Sequence, residues 1–212
     1  MELKLSKRPK NPTIVEGFPG FGLIGTITTE FLIEQLKAER IGSIKCDDIP
    51  AMIAIHGGKV LEPIGIFYDK KTNIVILHII TTVQGIEWQL SDTIAKLASK
   101  LNAKSVISLE GVASPSEDEG KMSCYYYTTS DKHKKKFRDN KVSPMNEGII
   151  LGVTGALLLE DDKMHPTCIF AETHSAMPDS KASARVITLI DKLLGLDIPT
   201  KPLMKEAEKF EN

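Results

Sequence analysis

Along the chain, short apolar runs typical of strands alternate with apolar residues spaced by three and four positions, which is typical of helices. Glycine- and proline-rich turns separate several of these segments. The first predicted strand, Thr13 to Glu16, runs into a turn at Gly17–Gly22 that holds three glycines and one proline. Apolar residues then recur at intervals of three and four residues from about 23 to 38, which predicts a helix with one buried face. Further strand candidates follow at 41–46, 52–55, 64–68 and 74–80.

The second half of the chain shows the same alternation of periods. A helix opened by Gly85 and buried on one face as far as Leu101 precedes a strand at Lys104–Leu109. The segment Glu110–Ser123 is rich in Gly, Ser, Pro and acids, so we expect a mobile surface loop. Residues 147–160 suit a buried helix or two short strands, and a helix from about 153 is favoured. The remaining predicted elements are strands at 124–128 and 167–173, a helix from 180 to a Gly195 stop, and a short C-terminal helix at about 199–210.

This order of elements indicates an α/β fold. Strands that alternate with long helices predict a mostly parallel, helix-covered sheet, and the consecutive strands between 41 and 80 predict an antiparallel portion. A chain of 212 residues with 42% hydrophobic residues can form one core, so residues 1–212 are expected to be a single domain.

Charge and composition argue against nucleic acid and membrane surfaces as partners. The 27 basic and 28 acidic side chains leave a net charge of −1, so no global field favours nucleic acid or a membrane surface. The sequence has no signal-peptide core and no apolar run of membrane-spanning length, which predicts a cytoplasmic protein. Three widely spaced cysteines favour reduced thiols over a disulfide framework.

The sharpest local motif is Gly20-x-Gly22-x-x-Gly25, which follows a strand and opens a helix. The layout is typical of a dinucleotide turn, and Asp47 or Asp48 would then bind a ribose hydroxyl. However, three residues separate the strand from Gly20, and Pro19 removes a backbone donor. The favoured interpretation is structural, with the glycines permitting a tight turn and close helix packing.

Other candidate sites have simpler explanations. The basic run Lys132–Arg138 suits a solvated face or a protein-docking patch more than nucleic acid. A metal set made from Cys168, Glu172 and His174 is disfavoured, because alternate strand residues lie too far apart to share an ion. The acids Glu110, Glu117, Asp118 and Glu119 could supply a general base, but acids in such a loop usually serve solvation. No catalytic residue, metal or cofactor is therefore predicted.

Several segments together resemble the proteasome assembly chaperone 2 family in its archaeal form. The most specific is Glu16-Gly17-Phe18-Pro19-Gly20-Phe21-Gly22-Leu23-Ile24-Gly25, with looser matches at Thr81–Trp88, Glu110-Gly111, Glu172-Thr173 and Pro178-Asp179. The resemblance implies a three-layer architecture similar to nucleoside phosphorylases, without an established catalytic activity. It also implies that Phe18, Pro19, Gly20, Gly22 and Gly25 shape a structural turn beside an inherited pocket.

The resemblance further implies partners: other copies of this chain, and proteasome α-subunits or another protein complex. We expect Trp88 and Tyr126 among the contacts, because aromatic residues are enriched in interface cores. Phe210 and Asn212 are further candidates, although Glu211 stands where docking tails of the family carry tyrosine. The alternative hypothesis is a nucleotide-binding protein or phosphorylase-like enzyme that uses the turn from Gly20 to Gly25.

Overall fold

A computed structural model describes residues 1–56, 58–114, 122–160, 164–174 and 176–199. Eleven strands lie in these ranges: β1 (Glu2–Leu5), β2 (Thr13–Gly17), β3 (Glu39–Lys45), β4 (Ala54–His56), β5 (Lys59–Leu61), β6 (Ile64–Asp69), β7 (Ile74–Ile79), β8 (Ser105–Ala113), β9 (Cys124–Thr128), β10 (Ser143–Pro144) and β11 (Thr167–Thr173). The helices of the same ranges are α1 (Ile24–Leu36), α2 (Glu87–Leu101), α3 (Asp131–Asp139), α4 (Gly152–Leu159) and α5 (Ser180–Leu194), with a 3-10 turn at Phe21–Leu23.

Nine strands form one sheet in the order β1-β3-β6-β7-β2-β8-β11-β9-β10, while β4 and β5 pair separately. The four central strands β7, β2, β8 and β11 are parallel to one another. Strands β3, β6 and β7 pair antiparallel, as predicted from the consecutive strands between 41 and 80, and β1 also pairs antiparallel with β3. The predicted α/β fold with an antiparallel portion is confirmed.

Helices cover both faces of the sheet and produce three layers. One face packs Val15, Ile107 and Ile169 against α1 and α5, while the other packs Ile14 and Val106 against α2 and α4. Strands β7 and β11 are buried along their whole length, because helices cover both faces of the sheet. The three-layer prediction is confirmed, and the likeness to nucleoside phosphorylases stays a prediction.

The sequence-based boundaries failed at particular points. Strand β8 continues through Glu110–Ala113, because β11 pairs with it as far as Ala113, so the predicted loop was wrong for these residues. The sequence pattern also missed β1, which pairs with β3, and α3, which contains the basic run. The predicted C-terminal helix at 199–210 lies outside the described residues. None of the described helices combines the length and apolar character needed to cross a lipid bilayer.

Candidate functional site

The glycine-rich turn leaves the carboxyl end of β2 and leads into α1. Gly20 is extended, whereas Gly22 has φ 67° and Leu23 has φ 49°, both in the left-handed region. The Leu23 amide donates to the Gly20 carbonyl at 3.0 Å, and the Gly22 carbonyl accepts from the Asp179 amide at 2.9 Å. A β-carbon on Gly22 would lie 2.9 Å from Thr173 Cγ2, so both conformation and space favour glycine there.

Gly25 lets α1 approach the sheet closely. A β-carbon at this position would lie 2.7 Å from the Leu109 carbonyl oxygen and 2.8 Å from the Gly17 α-carbon. Neither neighbour is the movable end of a side chain, so the helix would have to shift away from β2 and β8. The structural role proposed for this glycine is therefore consistent with its surroundings.

Glu110 points from β8 towards this turn. Its Oε1 occupies the space that a β-carbon of Gly20 would need, and its Oε2 accepts a hydrogen bond of 2.9 Å from Thr154 Oγ1 on α4. The Thr154 hydroxyl also lies 2.9 Å from Ser108 Oγ, two residues earlier on β8. Thus α4, β8 and the glycine turn hold the carboxyl between them.

Glu16 lies deeper in the sheet, opposite Ser108 in the register of β2 and β8. The residue is fully buried, and neither carboxyl oxygen forms a hydrogen bond of normal geometry with a described residue. Burial raises the pKa of Glu16 well above 4.5; the nearby Ser108 hydroxyl opposes this, and the Glu110 carboxyl reinforces it. Glu16 therefore favours its neutral form, since an unpaired buried carboxylate is costly.

Burial also raises the pKa of Glu110, from 4.5 to about 7, against the opposing effect of the hydrogen bond from Thr154. The Glu110 carboxyl consequently changes charge near neutral pH. Two carboxyls with raised pKa values thus occupy neighbouring strands beneath the turn. The expectation that Glu110 serves surface solvation was wrong, because β8 carries it inward.

A cavity of about 500 Å³ opens above Glu110, at the carboxyl ends of the parallel strands. Ligands of open α/β sheets usually bind at this edge. Its floor includes Phe18–Phe21 and Glu110–Ala113, and its walls include Thr82–Gln84, Glu87 and Ile149–Val153. The predicted turn residues Phe18, Pro19 and Gly20 thus line the cavity, whereas Gly22 packs against Thr173 and Gly25 against Leu109 and Gly17.

The arrangement does not favour a dinucleotide. Strand β3, which leads to Asp47 and Asp48, is separated from β2 by β6 and β7, or roughly 14 Å at normal strand spacing. Asp47 and Asp48 are exposed. At the turn itself, the carboxyl of Glu110 stands against Gly20, where a pyrophosphate would have to approach. Electrostatic repulsion from an ionised Glu110 would weaken the binding of such an anion.

Large apolar side chains are exposed at the mouth of this cavity and on the two helices, α2 and α4, whose first residues line it. The group comprises Trp88 of α2, Ile149 and Leu151 before α4, and Leu159 of α4, with exposed fractions of 58%, 87%, 77% and 76%. We call these four residues the rim surface. The location of Trp88 fits the predicted contact role.

Tyr126 does not fit that role. It is only 5% exposed and stacks on Phe137 of α3, with ring centroids 4.3 Å apart. The prediction of a surface position was wrong, because β9 turns Tyr126 inward and leaves Tyr127 43% exposed. Phe210 and Asn212, the other predicted contacts, lie outside the described residues, as do Glu117, Asp118 and Glu119.

The basic run forms α3, capped by Ser130 and anchored by the buried Phe137. Lys134 lies 3.6 Å from Asp131, and Lys136 donates to the Leu193 carbonyl, so part of the charge is used within the fold. Cys168 and Glu172 are buried in β11. In the part of the chain that the structure describes, no three His, Cys, Asp or Glu side chains gather into a metal site.

Sequence reasoning missed the polar residues Glu16, Ser108 and Thr154. A signal was present for Glu16, because a carboxyl directly after Ile14-Val15 in a strand with two buried faces must be desolvated. Thr154 gave no comparable signal: it meets Glu110 only through the packing of α4 over β8.

Comparisons with known proteins agree with this architecture. PbaA of Pyrococcus furiosus, an archaeal homolog of proteasome-assembly chaperone, has 29% identity and a TM-score of 0.90, with coverage of 100% of this chain and 89% of PbaA. PbaB of the same organism, an archaeal proteasome activator, has the same fold, with 22% identity, a TM-score of 0.84 and coverage of 99% and 95%.

Sequence comparison gives a consistent result. An uncharacterized protein of Methanocaldococcus jannaschii is 28% identical over 205 residues, which are 96% of this chain and 84% of the relative. The model of the PAC2 family matches residues 14–212. The chain therefore belongs to the PAC2 family, as its glycine-turn block and later segments predicted.

Proposed function

We propose that this protein is a non-catalytic scaffold of the proteasome-assembly-chaperone type, which binds proteasome α-subunits or a related protein complex. The observation that carries the proposal is the likeness to PbaA, which extends over the whole chain at a TM-score of 0.90. Membership of the PAC2 family supports the same function. We also propose that residues 1–212 act as one α/β domain in the cytoplasm.

We assign the contact with the partner protein to the rim surface. Its four apolar residues expose more than half of their area, and their burial would stabilise a complex by about 25 cal/mol for each Å² removed from water. Exposed apolar side chains grouped beside a cavity are typical of protein interaction sites. Trp88 is the best anchor among them, because tryptophan is enriched in binding hot spots.

A non-catalytic role is consistent with the chemistry of the cavity. Glu110 has the pKa of a possible general base, but none of the residues that line the cavity is a histidine, cysteine, serine or lysine in the described chain. Thr82 supplies a hydroxyl to the described lining, and its Oγ1 accepts a hydrogen bond of 3.4 Å from the Gln84 amide. The nucleotide-binding alternative has no comparable support.

The test is binding of the purified full chain to recombinant proteasome α-subunits, measured by size-exclusion chromatography with light scattering. The double variant Ile149→Asp and Leu151→Asp should weaken the complex at least about tenfold, because both side chains lose their apolar contact. The matched control is Ile55→Asp with Val60→Asp, on the β4–β5 hairpin, where the two side chains are 72% and 62% exposed.

The outcomes test the scaffold function and its assignment to the rim surface separately. If the hairpin variant loses binding and the rim variant does not, the protein is a scaffold that uses another surface. If the wild-type chain binds neither α-subunits nor assembled α-rings, the proposed function is refuted. We also propose that the chain forms a homo-oligomer; the same light-scattering measurement tests this, and a mass equal to one chain would contradict it.

A further inference from the structure

The cavity above the glycine turn carries charge of one sign. Glu87 and Glu110 line it, and no Lys, Arg or His is found among the described residues of its lining. Glu87 lies at the start of α2, where its Oε2 accepts from the Gly85 amide at 2.9 Å. Glu110 lies on the floor. The two carboxyls give the cavity a negative potential, which low-dielectric walls strengthen.

The Glu110 carboxyl has capacity for a ligand. Its Oε2 accepts from Thr154, whereas its Oε1 accepts no hydrogen bond from any residue that the structure describes. An ionised carboxylate can accept about four hydrogen bonds, so most of this capacity is unused. Gly20 has no side chain, and Oε1 lies in the space that a β-carbon there would fill. The glycine therefore leaves room for the carboxyl on the cavity floor.

The walls around Glu110 are largely apolar. Phe18, Val83 and Val153 are buried beside the floor, and Ile149 and Leu151 stand at the mouth. The volume of about 500 Å³ falls in the range of small-molecule sites, roughly 300–1,000 Å³. A ligand that fits must therefore combine a short apolar body with a hydrogen-bond donor at its inner end.

We propose that this cavity binds a primary ammonium group carried on an aliphatic chain, with the ammonium hydrogen-bonded to the carboxylate of Glu110. An ammonium group offers three donors and no acceptor, which matches a floor that presents a carboxylate. Its stem would contact Phe18, Val83 and Val153, as the stem of a lysine side chain covers apolar surface elsewhere. The inference concerns the cavity alone and does not depend on the proposed chaperone function.

Charge pairing explains why the ligand should be a cation. A buried ammonium is costly unless a carboxylate meets it, and a charge-assisted hydrogen bond is about twice as strong as a neutral one. The groups that face Glu110 are Thr154 from α4, Gly20 from the turn, Ser108 and Glu16 from the strands, and Glu87 across the cavity. None of these groups carries a positive charge, so a bound ammonium would supply the cation that the described surroundings of Glu110 lack.

Binding should depend on pH through the ionisation of Glu110. With a pKa of about 7, this carboxyl is about one-tenth ionised near pH 6 and about nine-tenths ionised near pH 8. An alkylammonium ion keeps its charge over this interval. Its affinity should therefore rise about tenfold from about pH 6 to about pH 8.

The experiment is isothermal titration calorimetry of the full chain with three probes. The probes are n-pentylamine, its neutral analogue 1-pentanol, and Nα-acetyl-lysine methylamide, which imitates the lysine of a partner protein. We expect pentylamine to bind at least about tenfold more tightly than pentanol near pH 8. In the Glu110→Gln variant this preference and its pH dependence should both disappear.

Matched variants keep the result interpretable. Glu34→Gln, on the exposed side of α1, should leave binding unchanged. Glu110→Asp retains a carboxylate one methylene shorter and should retain the pH dependence at reduced affinity. Circular dichroism of Glu110→Gln would show that any loss of binding is not unfolding.

The two amine probes distinguish the sources of the ligand. Binding of both supports a site open to the lysine of a partner protein, whereas binding of pentylamine alone supports a free aliphatic amine. Equal binding of pentanol and pentylamine would overturn the proposal, because the cavity would then be merely apolar. Wild-type affinity that Glu110→Gln leaves unchanged, or no binding of either amine, would overturn it as well.

Discussion

The substitution Glu110→Gln should stabilise the protein at alkaline pH. The folded chain keeps the Glu110 proton up to a pKa of about 7, whereas the unfolded chain releases it near 4.5. At Glu110 the folded state therefore binds more protons between these values, so the contribution of this carboxyl to stability falls as pH rises from about 4.5 to about 7 and then levels off. Glutamine keeps an acceptor for Thr154 and cannot ionise.

The magnitude follows from the difference between the two pKa values. Each pKa unit corresponds to about 1.4 kcal/mol, so ionising Glu110 lowers the free energy of unfolding by about 3 kcal/mol. The variant should exceed the wild type by this amount near pH 8. Near pH 4.5 the difference should shrink to a few tenths of a kcal/mol, because the folded wild type is protonated there.

Urea denaturation of both proteins across this pH range measures the difference directly. Glu34→Gln is the matched control, since its exposed carboxyl lies on the outer side of α1. A constant difference between Glu110→Gln and the wild type at all pH values would refute the reasoning. The reasoning would also be refuted if the wild type gained stability relative to Glu110→Gln as pH rises from about 5 to about 8, since the linkage of Glu110 would then have the opposite sign.

Three further predictions concern the core and the turn. Gly22→Ala should lower the free energy of unfolding, measured by urea denaturation, by about 1–3 kcal/mol. The loss should exceed that of Gly195→Ala, because both glycines have positive φ but only at Gly22 would a β-carbon also meet a close neighbour. Tyr126→Ala should cost about 3–5 kcal/mol in the same assay, whereas the more exposed Tyr127→Ala should cost less than about 1 kcal/mol. Adenine and nicotinamide nucleotides should not raise the melting temperature, and saturable stabilisation by one of them would revive the nucleotide-binding hypothesis.

Local sequence patterns were sufficient for the elements whose signals are local. The apolar spacing that predicts a helix at about 23–38 reflects one face of α1 against the sheet, and α1 spans Ile24–Leu36. Helix α5 begins where Asp179 accepts a hydrogen bond from the Ala182 amide and ends at Gly195 with φ 70°. Both ends of α5 depend on residues within a few positions of the boundary, so they can be predicted from the local sequence.

Features that depend on distant contacts were not predictable in the same way. The alternation of a strand places the side chain of Tyr126 on the face opposite to those of Tyr125 and Tyr127. Which of the two faces is buried depends on α3, because Phe137 of that helix stacks on Tyr126. Glu110 belongs to a strand rather than a loop because β11, far along the chain, pairs with it. The cavity depends likewise on α4, since only tertiary packing brings Thr154 to Glu110.

The sheet order also constrains when the candidate site can form during folding. Strand β2 is among the first elements along the chain, yet its partners are β7 and β8, with Thr13 opposite Ile74 on one side and Ser105 on the other. Contacts of such long sequence separation form late, because loop closure must precede them. During synthesis, β2, the glycine turn and α1 leave the ribosome before Glu110 has been made. Asp179, whose amide donates to the Gly22 carbonyl, is made later still. The glycine turn, near the start of the sequence, should therefore acquire its native shape in the last steps of folding.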